Sequence, residues 1–185
     1  RERIKRVLYL GSDFRAPFDL TVQELFEMGA LATSKEFWPE VHAAERLRMN
    51  RVVEAAKLTE FIPRFFRTLS DGEKQLIMFV RGLIQSPKVL ILDETFSKLD
   101  LDKLILVSRM IRSAAEDGMT FIVSSHDLNF LSEISDELIF LKEGKKLAQG
   151  PVNEMLVPER LDEIYPDISL QVVTSPETGK WKILY

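Results

Sequence analysis

The sequence has no cysteine, which excludes a disulfide framework, a thiolate zinc site and a cysteine nucleophile and fits a reducing compartment. It has no long hydrophobic run. Apolar stretches such as Val89 to Leu92 and Leu104 to Val107 fall far short of the roughly 18 residues a membrane span requires. Neither charge sign dominates, because 25 Lys and Arg face 29 Asp and Glu for a net charge of −4. That balance argues against a chain whose main task is neutralising a nucleic-acid backbone. No internal repeat and no low-complexity tract is visible. The chain opens on Arg1-Glu2-Arg3 without a methionine or an apolar targeting segment, so the expectation is a removed signal or a longer parent chain.

What is present suffices for one large domain or two small lobes sharing a core: 185 residues, 45% hydrophobic and 29% charged, an ordinary globular composition. Ile4 to Leu10 is a β-prone run closed by Gly11-Ser12-Asp13. From Thr21 to Phe66 the pattern turns helical, opened by a Thr21/Glu24 capping box and punctuated by Pro39 and Pro63. Ser70 and Glu73 form a second capping box ahead of Leu76, Ile77, Phe79, Val80, Leu83 and Ile84, and Pro87 ends that helix. Val89 to Leu92 then reads as a strand buried on both faces of a parallel sheet. A helix from about Asp102 to Ala115, a break at Gly118 and the strand Thr120 to Ser124 complete a βαβ unit. Further on come a hairpin turning at Glu143-Gly144, a short helix over Glu159 to Ile164, and a last hairpin pairing Leu170 to Val173 with Trp181 to Leu184.

Three groups of residues carry chemistry. Asp93 and Glu94 are adjacent carboxylates at the carboxyl end of a buried strand, where ligands sit in open α/β sheets. There an Asp can hold Mg²⁺ through water, and a Glu can orient or deprotonate an attacking water. Alone, the pair equally suits a solvated turn. Leu69-Ser70-Asp71-Gly72-Glu73 places unpaired backbone N–H groups at a helix N-terminus, a seat for phosphate, with Gly72 allowing close backbone approach. Taken alone, simple capping is the better account of Ser70 and Glu73. His126, just past the end of a strand, could donate to a terminal phosphate oxygen. His42 receives no role.

In combination and order, Leu69-Ser70-Asp71-Gly72-Glu73, Arg81, Val89 to Glu94, Ser97-Lys98-Leu99-Asp100 and His126-Asp127-Leu128 resemble the ATP-binding-cassette ATPases. The resemblance covers nearly the whole chain. It implies an α/β P-loop NTPase core with a parallel sheet, its N-terminal part missing, plus a helical subdomain. It divides one ATPase domain over 1–185 into a helical subdomain (13–86), an ATPase core (87–150) and a C-terminal extension (151–185). It further implies ATP and Mg²⁺ as cofactors, with Asp93 on the metal and Glu94 and His126 catalytic. Ser70, Gly72, Glu73 and Asp100 would contact nucleotide across a head-to-tail dimer of two nucleotide-binding subunits. Transmembrane permease subunits and, indirectly, a solute-binding protein are the implied partners, without nucleic acid, at the cytoplasmic face of the membrane. Phe14, Phe18, Phe26 and Met28 would either face the permease or pack the lobe's own core. Pro17 to Val22, His126 to Asn129 and the tail Val173 to Lys180 resemble the importers of iron-siderophore, haem or cobalamin.

The sequence also departs from that pattern. It contains no G-x-x-x-x-G-K-[ST] loop, so the phosphate loop is expected upstream of Arg1, in a unit of at least roughly 30 residues. The fragment alone is then expected to be inactive. The coupling glutamine of the family falls at Ser12, Asp71 replaces the first glycine of the signature loop, and Thr95 stands where the family has proline. Two rivals stand beside this reading: a degenerate, non-hydrolysing cassette with a binding or regulatory role, which these departures motivate, and a soluble cassette of DNA repair or translation. The second would carry coiled-coil insertions or a paired second cassette, neither of which the sequence contains.

Overall fold

The computed structural model describes residues 7–12, 19–32, 41–166, 170–174 and 181–184, in two compact units, Arg1–Ser125 and His126–Tyr185. The first unit is built on three parallel strands, β1 (Val7–Leu10), β2 (Val89–Asp93) and β3 (Thr120–Ser124), in the order β1-β2-β3. Register pairs Leu10 with Leu92 and Asp93 with Ser124. Side chains alternate along each strand, so Leu10, Leu90 and Leu92 are buried while Val7, Tyr9 and Ile122 on the other face are exposed.

Helices α1 (Val22–Leu31), α2 (Ala43–Ala55), α3 (Asp71–Gln85) and α4 (Leu101–Glu116) complete this unit, with two 3₁₀ turns at Thr59–Phe61 and Phe66–Thr68. Both predicted capping boxes are formed. The first amides of α1 are also satisfied from the chain ahead of α3, Val22 by Arg64 O and Gln23 by Ile62 O. Phe79 and Ile84 on α3 are fully buried, and a Cβ at Gly82 would meet Leu10 at 3.1 Å and Leu90 at 3.6 Å. The helix therefore lies close on the leucine face of the sheet. It ends at Ser86, in the left-handed region at φ 51°, directly before Pro87.

The second unit contains α5 (Leu128–Ile134), β4 (Glu137–Lys142), β5 (Lys145–Pro151), α6 (Val152–Met155), α7 (Pro158–Ile164), β6 (Gln171–Thr174) and β7 (Trp181–Leu184). Strands β4 and β5 form the expected hairpin, with Glu143 and Gly144 both at positive φ, as its two-residue turn demands. Among the described residues it is a separate two-stranded sheet and no continuation of the parallel one. Strands β6 and β7 pair antiparallel. The Asn129 amide on α5 binds β7 in the manner of another strand, donating to Ile183 O at 2.9 Å and accepting from Ile183 N at 2.8 Å. Among the described residues no helix is long and apolar enough to cross a membrane.

Candidate functional site

The parallel register carries three polar side chains to the carboxyl edge of the sheet. Asp93, on the middle strand, is flanked by Tyr9 from β1 and Ser124 from β3. The Tyr9 hydroxyl donates to Asp93 Oδ2 at 2.9 Å, and the Ser124 hydroxyl donates to Oδ1. The bond from Ser124, and after it the bond from Tyr9, hold the Asp93 carboxyl below the usual aspartate range against a smaller opposing effect of burial. The same contact raises the Tyr9 hydroxyl, because losing its proton would set a phenolate against the carboxylate. Asp93 is thus a fixed, ionised carboxylate exposed at the end of a buried strand.

Glu94 follows at φ 47°, the left-handed region that costs a side-chain-bearing residue roughly 1–2 kcal/mol. Its backbone N–H donates to Ser124 O at 3.2 Å and to Ser124 Oγ at 3.1 Å. Next in the chain, buried Thr95 donates its hydroxyl to Leu10 O at 2.9 Å. The acid turn is thereby tied to β3 on one side and β1 on the other.

The glycine of the predicted anion seat has a partner inside the chain. A Cβ at Gly72 would lie 2.7 Å from the carbonyl oxygen of Lys98, so the 97–100 segment packs closely on this glycine. Lys98 N donates to the buried Gln75 Oε1 at 3.1 Å, and Lys98 Nζ pairs with Asp71 at 2.6 Å. That hydrogen bond and the lysine's charge lower the Asp71 carboxyl. Among the described residues Gln75 Nε2 is buried without a hydrogen-bond partner. Ser70 and Glu73 cap α3 reciprocally: Ser70 N donates to Glu73 Oε2 at 2.7 Å and Glu73 N to Ser70 Oγ at 3.3 Å. Asp100 caps α4 through Lys103 N at 3.0 Å and also meets Lys103 Nζ at 2.6 Å. Gly72→Ala is expected to lower the unfolding free energy by about 1–3 kcal/mol, the range for overpacking, because a backbone carbonyl cannot swing aside as a side-chain end does. Urea midpoints of the two chains check it.

The first unit therefore brings Asp93 and Glu94 together, and Gly72 near the start of α3 lies against the segment that runs from the acid turn to Asp100, with Ser70 and Glu73 beside it in the chain. His126 belongs to the second unit, exposed in the bend before α5. Ser12 is exposed just beyond β1. Of the four apolar residues considered for a permease surface, Phe26 is buried and Met28 is exposed; Phe14 and Phe18 lie outside the described residues, as does most of the tail, 175–180. Sequence reasoning missed Tyr9, Ser124, Lys98 and Gln75 as site residues. For Tyr9 and Ser124 the signal was their place at the carboxyl ends of the strands beside β2.

Among the described residues no three His, Asp or Glu groups converge as a metal cage. Asp93 offers one anionic contact flanked by hydroxyls, a donor set that fits an outer-sphere contact to a hydrated divalent cation taking its remaining ligands from water and phosphate. The lowered carboxyls of Asp93, Asp71 and Asp100 also set a pH dependence. Groups whose folded values lie below their unfolded ones contribute stability that is present above the unfolded range, about pH 4. It is lost as pH falls through the folded values. The urea midpoint is expected to drop on acidification below about pH 4, and less steeply in Ser124→Ala, which removes the main cause of the Asp93 shift.

The ABC transporter family matches residues 2–97. The hemin import ATP-binding protein HmuV of Rhizobium meliloti is 30% identical over 156 residues, 80% of this chain and 58% of that protein. The iron(3+)-hydroxamate import ATP-binding protein FhuC of Bacillus subtilis is 30% identical over 166 residues, 89% of this chain and 61% of that one. The cobalamin import ATP-binding protein BtuD of Halobacterium salinarum is 27% identical over 176 residues, 95% and 43%. The chain thus spans about three-fifths or less of the length of these curated relatives. Among solved structures, an ATP binding subunit of an ABC transporter superposes with TM-score 0.74 at 22% identity, covering 88% of this chain and 68% of that one. An archaeal ribosome recycling factor superposes at 0.72 with 21% identity, covering 97% and 33%. At these identities the likeness is one of fold.

Proposed function

Because the chain belongs to the ABC transporter family, we propose that it is part of the ATP-binding subunit of an importer, coupling ATP hydrolysis to uptake of an iron-siderophore, haem or cobalamin. The observation that carries this reading is the acid turn: an ionised Asp93 at the end of the middle strand, with Glu94 beside it in a conformation fixed by Ser124. The solute class rests on the hemin, hydroxamate and cobalamin import proteins to which the chain is similar.

In the complete protein Asp93 would hold Mg²⁺, and the ion would supply charge neutralisation on the phosphates. Glu94 orients the attacking water and accepts its proton, while His126 donates to the terminal phosphate. Ser70, Gly72, Glu73 and Asp100 belong to the face that meets nucleotide held by a second subunit. Lys98 neutralises Asp71, which removes the repulsion a bare carboxylate would set against that phosphate. Permease subunits dock on the helical lobe within 13–86, ahead of the core at 87–150 and the extension at 151–185, and a solute-binding protein delivers cargo to the permease. The assembly works at the cytoplasmic face of the membrane.

Ser12, standing where the family has its coupling glutamine, favours the second reading, a non-hydrolysing cassette with a regulatory role. Glu94→Gln in the complete protein separates the two: an importer ATPase retains ATP and loses turnover, whereas a non-hydrolysing cassette behaves as the parent does.

A further inference from the structure

We propose that Thr95 is a positioning residue, which couples the end of β1 and the Ser12 loop to the backbone of Glu94. Its functional weight rests on the reading of Glu94 above; the coupling itself rests on geometry. Thr95 and Leu10 are 1% and 4% exposed, respectively, and the Thr95 hydroxyl donates to Leu10 O at 2.9 Å. The β1–β2 ladder ends with the pair Leu10 and Leu92, so this bond is a side-chain link beyond the ladder. Tyr9, the preceding residue of β1, binds Asp93. Two consecutive residues of β1 therefore hold the residues on either side of Glu94.

Glu94 itself sits at positive φ with its N–H bound to Ser124 on β3. A conformation of that kind persists only where its surroundings over-determine it. The turn is held from β3 by Ser124 and from β1 by Tyr9 and Thr95. Leu10 is two residues before Ser12, so the Thr95 bond ties the acid turn to the chain that leads from β1 to Ser12. A proline at 95, as in the family pattern this sequence resembles, has no hydroxyl with which to make the link.

Amide hydrogen exchange followed by NMR on this chain tests the coupling without any appeal to turnover. In Thr95→Val the Leu10 carbonyl loses the Thr95 hydroxyl, and the Glu94 amide is expected to exchange about tenfold faster. The amides of Leu92 and Ile122 should keep their rates, and Thr95→Ser should restore that of Glu94. Ser12→Pro, which restricts the backbone just beyond β1, should speed Glu94 exchange in the parent chain and add little in the Thr95→Val background. An unchanged Glu94 rate in Thr95→Val, an equal rise at Leu92 and Ile122, or an equal Ser12→Pro effect in both backgrounds would overturn the proposal. Persistent turnover in Glu94→Gln overturns the catalytic reading and leaves the exchange result standing.

Discussion

Phe79→Ala is expected to lower the unfolding free energy by about 3–5 kcal/mol, the range for truncating a fully buried phenylalanine. Phe79 has no exposed surface, and its ring meets that of Phe96 edge-on, with centroids 5.2 Å apart at 87°. Phe96 is two residues beyond Glu94, so the cavity opens beneath the segment that carries the acid turn towards Lys98 and Asp100. Collapse around it is restricted, because the same helix is held against α1 at Gly29, where a Cβ would lie 3.0 Å from Arg81 O, and against the sheet at Gly82. Urea denaturation would show the loss as a lower midpoint at unchanged slope. Phe79→Leu, which keeps most of the volume, should cost under about 1.5 kcal/mol. Equal midpoints for Phe79→Ala and the parent would mean that the ring pair does not anchor the segment.

Elements set by local chemistry were legible in the sequence. The capping boxes at Thr21/Glu24 and Ser70/Glu73, the run Val89 to Leu92, and the positive-φ turn at Glu143-Gly144 each depend on residues within a few positions of one another. The site's wiring was not, since it depends on which strand ends lie side by side. Tyr9 and Asp93 are 84 positions apart, Ser124 and Asp93 31, Thr95 and Leu10 85, and Lys98 and Asp71 27. Hydrophobic periodicity assigns a residue to a face without naming the neighbour across it. Gly72 illustrates the consequence: its close approach to the Lys98 carbonyl joins residues that lie far apart in the sequence. At Thr95 the departure from proline was plain in the sequence, while its hydrogen bond became visible only once β1 was placed beside β2.

Glu94→Gln is expected to slow ATP hydrolysis by the complete protein at least about a hundredfold, the lower bound for losing a positioned general base. Glutamine matches the carboxylate in shape but cannot accept a proton from water at neutral pH. The backbone conformation should survive, because Glu94 is held through its N–H by Ser124 and through Thr95 by β1, and neither contact involves its side chain. Removing one negative charge beside bound phosphates also eases their repulsion, so nucleotide should be retained more tightly as turnover fails. Retained ATP is measured by gel filtration with labelled nucleotide and Mg²⁺, and turnover by phosphate release. Glu94→Ala should show the same failure of hydrolysis, since in both variants the missing function is proton acceptance. Turnover at the parental rate in Glu94→Gln would mean that another group activates the water. Absence of turnover in the parent, with identical ATP retention in both chains, would identify the non-hydrolysing cassette that Ser12 favours.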